Sequence, residues 1–230
     1  MRISVRKDGT PTMYTPASFQ ETDLTKLHAF MEQHSFATLI SSCDDAAGYK
    51  EPFASHLPLL VDRTAGERGR LIGHMARPNS QWQSGAGQRV LAIFHGPHAY
   101  ISPSWYEAQN VVPTWNYVAV HACGVLRLEE DSQRLREILE RTVERYESTR
   151  ERPWSMHSPD PEFFGKLLNG IVGFEIDIDR LEGKWKLNQN HPAERRAKVI
   201  RGLQSIGEHD ADEIAALMLD LSGDAYASEK

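Results

Sequence analysis

The sequence predicts a mainly β protein with helices (α+β): a compact antiparallel sheet or barrel, flanking helices and a C-terminal helical tail. Three observations carry this. Between residues 36 and 102, short apolar runs of β type alternate with turn-forming segments such as DDAAGYKEP, RTAGER and GAG. Residues 115–129, WNYVAVHACGVLRLE, make a long run that is apolar on both faces of a strand. Helical periodicity occupies the flanks and the tail, most clearly in DSQRLREILERTVERYES (131–148).

Residues 16–34 predict the first helix. Thr22 or Asp23 can cap it, and Leu24, Leu27, Phe30 and Met31 form its apolar stripe. Strands are predicted at FATLIS (36–41), ASHLPLLVD (54–62), GRLIGHMA (69–76) and QRVLAIFHG (88–96). HAYIS (98–102) reads as a separate segment after a Gly-Pro break, and SPSWY as a turn carrying Trp105 and Tyr106 toward a subunit interface. In 115–129, alternation puts Trp115, Tyr117, Ala119, His121 and Cys123 on one face and Asn116, Val118, Val120, Ala122 and Gly124 on the other. A helix or a second subunit must cover whichever face the barrel does not, and the small Ala122 and Gly124 predict close approach of another backbone. The 131–148 pattern predicts a scaffold helix lying across the barrel, its outer face rich in Arg and Glu. PEFFGKLLNG predicts a short helix, IVGFEIDIDRLEG (171–183) a half-solvated strand, and PAERRAKVIRGLQS and DADEIAALMLDLSG two tail helices.

The chain has 230 residues, enough for one large domain or one domain with an appendage. No apolar run approaches the ~20 residues that cross a bilayer. The N-terminus lacks the apolar stretch of a signal peptide, and two cysteines do not make a disulfide framework, so the expected location is the cytoplasm, with no membrane partner. A net charge of −6 argues against a phosphate-neutralising DNA-binding surface; the compact basic run is AERRAKVIRG, 193–202.

The histidines of HGPH lack the spacing of a zinc motif, no GxSxG is present, and Cys123 sits among apolar neighbours. Neither a Walker loop nor GxGxxG occurs. GHMARPNSQW (73–82) is more informative. A strand end, Arg77 and a helix opened by Pro78 could together hold a phosphate, although a surface turn with a solvated Arg77 fits the motif as well. In KWKLNQN, Lys184 and Lys186 share one side of a strand, and Asn188 and Gln189 offer amides to a heterocycle edge. Trp82, Trp105, Tyr106, Trp115 and Tyr117 are planar surfaces for either a flat cofactor or the core.

MYTPASF (13–19), SHLPLLVD (55–62), GHMARPNSQW (73–82), VLAIFHGPHAYISPSWY (90–106), VPTWNYVAVHACG (112–124) and KLNQN (186–190) together resemble the PaiB-type family, FMN-binding negative transcriptional regulators built on a flavin-binding split barrel. Asn188 departs from the family's KLSQN. The resemblance implies residues 1–12 as a flexible N-terminal extension, 13–190 as an FMN-binding split-barrel domain and 191–230 as a C-terminal helical tail packed on it. It implies a homodimer with FMN at or near the subunit interface, and leaves a DNA or other regulatory partner as the expected target. By analogy with split-barrel flavoproteins, His74, Met75, Ala76 and Arg77 are expected at the FMN phosphate, with Lys186 as a supporting cation. Trp115, Asn116 and Gln189 are expected near the ring, and His56 and Trp82 in the pocket. The barrel also hosts flavin reductases, pyridoxamine-phosphate oxidases and haem-degrading enzymes, so an FMN-dependent oxidoreductase or a haem-binding relative stands as the alternative.

Overall fold

The computed structural model describes residues 12–44, 46–156 and 160–227; the expected N-terminal extension lies outside them except for Thr12. The strands are β1 (Gln20–Glu21), β2 (Phe36–Asp44), β3 (Lys50–Pro58), β4 (Leu60–Asp62), β5 (Arg70–Ala76), β6 (Arg89–Ile101), β7 (Thr114–Glu129) and β8 (Ile171–Lys186). The helices are α1 (Leu24–Gln33), α2 (Gln81–Gly85), α3 (Ser132–Glu147), α4 (Pro161–Asn169), α5 (Ala193–Gln204) and α6 (His209–Ala227). The sheet order is β3-β2-β6-β7-β8-β5-β4, with β1 pairing to β8 off that path. The β1–β8, β2–β3, β2–β6, β4–β5 and β5–β8 pairs are antiparallel.

The chain divides into two compact units. One comprises residues 24–94 and 121–181. Its core is built from alternate strand residues, including Ala37 and Leu39 of β2, Leu71 and Met75 of β5, and Val172, Phe174 and Ile176 of β8. α3 begins at Asp131, whose carboxylate accepts from the Gln133 and Arg134 amides. Its Leu135 and Ile138 lie on Gly173 of β8, where a Cβ would crowd them, so this is the expected scaffold helix. The fully buried Gln81 of α2 donates through Nε2 to the Leu39 and Phe53 carbonyls at 3.0 Å and to Ser41 Oγ at 3.2 Å. These bonds tie the short helix to β2 and β3.

The other unit comprises residues 1–23, 95–120 and 182–230. Here Val118 and Val120 of β7 and Trp185 and Leu187 at the end of β8 are buried, as are Val199, Ile200 and Leu203 of α5 and Ile214, Ala215 and Met218 of α6. Trp105 lies against Gly202 of α5, where any side chain would collide with the indole. Tyr106 is 4% exposed. The SPSWY segment, a 3-10 helix over Pro103–Tyr106, therefore turns its rings into its own unit.

Several predicted boundaries move: ASHLPLLVD (54–62) is two strands parted at Leu59, with β3 beginning at Lys50 inside the predicted turn, and three further changes have visible causes. The run 16–34 is not one helix: Ala17–Phe19 is a 3-10 turn and Gln20–Glu21 pairs with β8. The Glu21 carboxylate then accepts from the Thr22 and Asp23 amides just before α1. β6 runs unbroken through Gly96-Pro97, because proline's fixed φ suits an extended chain and its missing N–H removes only one ladder bond. Pro78 sits in a turn closed by Asn79 N–H on the Ala76 carbonyl, and α2 starts three residues later at Gln81.

The predicted close approach at Gly124 is present. A Cβ there would overlap the Asp177 carbonyl of β8, so the neighbouring backbone belongs to the same chain and the same unit. Gly124→Ala is therefore expected to destabilise by about 1–3 kcal/mol, the usual cost of overpacking. Urea unfolding should show this as a lower midpoint at unchanged slope.

Candidate functional site

His56, His74, Met75, Ala76, Arg77 and Trp82 belong to the unit of residues 24–94 and 121–181. His74 and Met75 end β5. Met75 is core, 1% exposed, while Ala76 is exposed. Arg77 is exposed, yet its guanidinium is engaged: Nε donates to the Asn169 carbonyl at 2.7 Å and an Nη to the Ile171 carbonyl at 2.8 Å. Arg77 N–H also donates to the Gly170 carbonyl. The cation thus closes the C-terminal end of α4, where carbonyls lack helical partners and the dipole is negative. Trp82 Nε1 donates to the Arg77 carbonyl, so these two predicted residues do meet. The cavity beside them, about 340 Å³, also has Glu129 and Glu130 in its wall. His56 is exposed and bonded to Thr38 Oγ1 at 3.1 Å.

Trp115, Asn116, Lys186 and Gln189 belong to the other unit. Lys186 at the end of β8 reaches the first residues of β7, donating to Thr114 Oγ1 and, at 2.6 Å, to the Trp115 carbonyl. Burial, then the neighbouring Lys184, holds its pKa below the ordinary lysine value. Lys184 itself is buried, bonded to the Tyr14 carbonyl at 2.8 Å and lying over the Tyr14 and Tyr117 rings. Trp115 and Asn116 point to opposite faces of β7. Trp115 is 52% exposed, with Tyr100 edge-on at 5.8 Å between ring centroids. Asn116 is 0% exposed, with Nδ2 on Met218 Sδ at 3.4 Å and its carbonyl oxygen without a hydrogen bond among the described residues. The Gln189 amide closes its own loop, accepting from Leu187 N–H and donating to the Trp185 carbonyl.

The structure joins Lys186, Asn188 and Tyr106, which the sequence singled out, to Thr114, His191 and Arg195, which it did not. A cleft of about 370 Å³ is lined by Thr114 and Lys186 together with Tyr106, Asn188, His191 and Arg195. Asn188, at φ +60°, donates from Nδ2 to the Tyr106 hydroxyl at 3.3 Å. Asparagine tolerates that left-handed backbone better than most residues. The Arg195 guanidinium lies 5.3 Å from the centre of the Tyr106 ring and pairs with His191 Nδ1 at 3.2 Å. Burial, then Arg195 and Lys186, lowers the His191 pKa. Because a guanidinium can only donate, His191 Nδ1 is the acceptor in that pair. Nothing in the spacing of Tyr106, Lys186 and Arg195 advertises this grouping.

A family model described as "Putative FMN-binding domain" matches residues 13–180. The chain belongs to this family. It is 36% identical over 209 residues to protease synthase and sporulation protein PAI 2 of Bacillus subtilis, covering 90% of this chain and 97% of that protein. It is 28% identical to the uncharacterized protein AN0679 of Emericella nidulans, over 85% and 92% of the two chains. Among solved structures, the flavocytochrome Anf3 from Azotobacter vinelandii superposes with a TM-score of 0.56 at 14% identity, covering 84% of this chain and 80% of that one. A FAD and haem binding protein from Mycobacterium smegmatis gives 0.53 at 14% identity, over 77% and 78%. At that identity these two show the fold alone: the flavin-binding split barrel with flanking helices. The PaiB-type family and its cofactor, FMN, are those the sequence resemblance implied.

The donor set suits FMN. A phosphate needs cations and N–H donors, which Lys186 and Arg195 supply; a flat ring needs exposed aromatic surface, which Trp115 and Tyr100 supply.

Arg77→Ala is expected to cost about 1–2 kcal/mol of stability, the net worth of two hydrogen bonds to carbonyls, read as a lower urea midpoint. His74 gives a pH signature. Burial lowers its pKa from the ordinary 6.5, so the unfolded chain takes up the proton first as pH falls. Stability contributed at this site is whole above about pH 6.5 and declines below it. The melting temperature of His74→Asn should fall less than that of the parent between pH 7.5 and 5.5; equal falls would exclude His74 as the source.

Proposed function

We propose that this chain is a cytoplasmic FMN-binding negative transcriptional regulator of the PaiB type that acts as a homodimer. The observation that carries the reading is the 36% identity to the Bacillus protein across nearly the whole of both chains, which leaves no large region of either unmatched. Several structural features support it. His98, Tyr100 and Trp115 stand together on neighbouring positions of β6 and β7, with Tyr100 46% and Trp115 52% exposed, and Val112 nearby in sequence is 74% exposed. Such aromatic surface is what a symmetric partner covers.

FMN, when bound, supplies hydride and single-electron chemistry. This chain's own residues bind and orient it: Lys186 offers charge to the phosphate, and Trp115 offers a plane to the ring. The turn at His74–Arg77 is the second candidate for the phosphate.

The regulatory contact is read as indirect. The basic run 193–202 forms α5, whose Val199, Ile200 and Leu203 are buried and whose Lys198 pairs with Glu107 and Glu194. A helix committed to the core on one face and paired on the other is a poor reader of a major groove. The purified protein should run in light scattering at twice its 26.0 kDa chain mass, and Trp115→Glu should shift it toward the monomer. A tight complex of the isolated protein with its own promoter, weakening steeply with salt, would contradict the indirect reading.

A further inference from the structure

The chain turns from the end of β8 toward α5 at Asn188, and the backbone of that residue shapes the turn. Asn188 is left-handed, at φ +60°, a conformation that asparagine and glycine adopt more readily than most residues. Its carbonyl accepts from His191 N–H at 3.0 Å, just before α5 begins at Ala193. The side chain does something separate. Nδ2 donates to the Tyr106 hydroxyl at 3.3 Å, and the two residues are 3% and 4% exposed. This buried polar pair ties the end of β8 to the 3-10 helix over Pro103–Tyr106. Tyr106 in turn carries Arg195. The guanidinium lies over the phenol ring, 5.3 Å from its centre, and Nη1 donates to His191 Nδ1 at 3.2 Å. The His191 ring lies beside the same phenol, with 5.7 Å between centres. Arginine is a rotamer-rich side chain, so the direction of this one is set by those two partners. Lys186 is held independently, by Thr114 Oγ1 and the Trp115 carbonyl.

We propose that Asn188 is a positioning residue: it fixes the Tyr106 ring, and through that ring the direction in which Arg195 presents its guanidinium to bound FMN. This rests on the FMN reading above and adds to it the residue that aims one of its cations. The guanidinium fork is useful to a phosphate only when it is aimed, because its donors lie in one plane. Asn188 and the Tyr106 hydroxyl are both neutral, so removing either leaves the charge of the cleft as it was. A loss confined to the phosphate-bearing flavin then reports the geometry of Arg195. The amide also satisfies a hydroxyl that the fold has buried, and a buried polar group left without its partner is free to shift the ring that carries it.

The test titrates FMN and riboflavin, by flavin fluorescence, into the full-length protein and its variants, each checked for folding by circular dichroism. Asn188→Gly keeps the left-handed backbone and loses the amide; Tyr106→Phe keeps the ring and loses the hydroxyl. Each should weaken FMN by about threefold to tenfold, within the span of one neutral hydrogen bond, and leave riboflavin unchanged. In an Arg195→Gln background neither substitution should weaken FMN further, because the side chain they aim is gone. In a Lys186→Gln background the effect of each should persist in full. Tyr106→Phe carries the same cycle if Asn188→Gly fails to fold. The proposal alone is overturned, with FMN binding intact, by unchanged FMN affinity in either variant or by an equal loss for riboflavin. It is overturned in the same way if the loss persists undiminished with Arg195→Gln, since Asn188 would then act on the ligand by another route. A parent protein that leaves FMN unbound sinks the FMN reading and the proposal together.

Discussion

The structure depends on one constraint: β7 is buried along its whole even-numbered face, from Asn116 to Leu126, and at Gly124 a Cβ would overlap the β8 carbonyl of Asp177. A strand packed that closely has one register. Slipping by a single residue would turn Val118, Val120, Ala122 and Leu126 outward. On the odd-numbered face Trp115 is exposed, and at the start of the strand Thr114 Oγ1 and the Trp115 carbonyl meet Lys186.

The two cationic places differ in what balances them. Arg77 is engaged by the carbonyls at the end of α4, with Glu129 and Glu130 in the wall of the same cavity, and it stabilises a turn. Lys186 and Arg195 are held by neutral acceptors and an aromatic face. Neutral partners orient a cation and leave its charge available to a ligand.

Much of the fold was legible in the sequence, because its long periodic elements are amphipathic in the ordinary way. α3, β7 with its two faces, and the alternation of β8 all follow from side-chain period. Boundaries set by individual contacts were not. Nothing in HGPHAY says that the strand continues through Pro97, and nothing in ARPNSQ says that Asn79, closing a turn, delays α2 to Gln81. The site was legible in part. Lys186 stood out as one of a lysine pair on a strand, but Arg195 reads in sequence as part of a solvated basic run. Its place comes from the Tyr106 ring, some 90 residues earlier, over which its guanidinium lies, and tertiary contacts of that kind leave no local pattern.

The central claim, that this is an FMN protein, is tested most directly by the visible absorption spectrum of the purified full-length chain, with FMN added if it is colourless. The account predicts flavin bands, and quenching of flavin fluorescence as FMN is taken up. A Soret band in place of flavin bands, or a protein that leaves added FMN free, would contradict it.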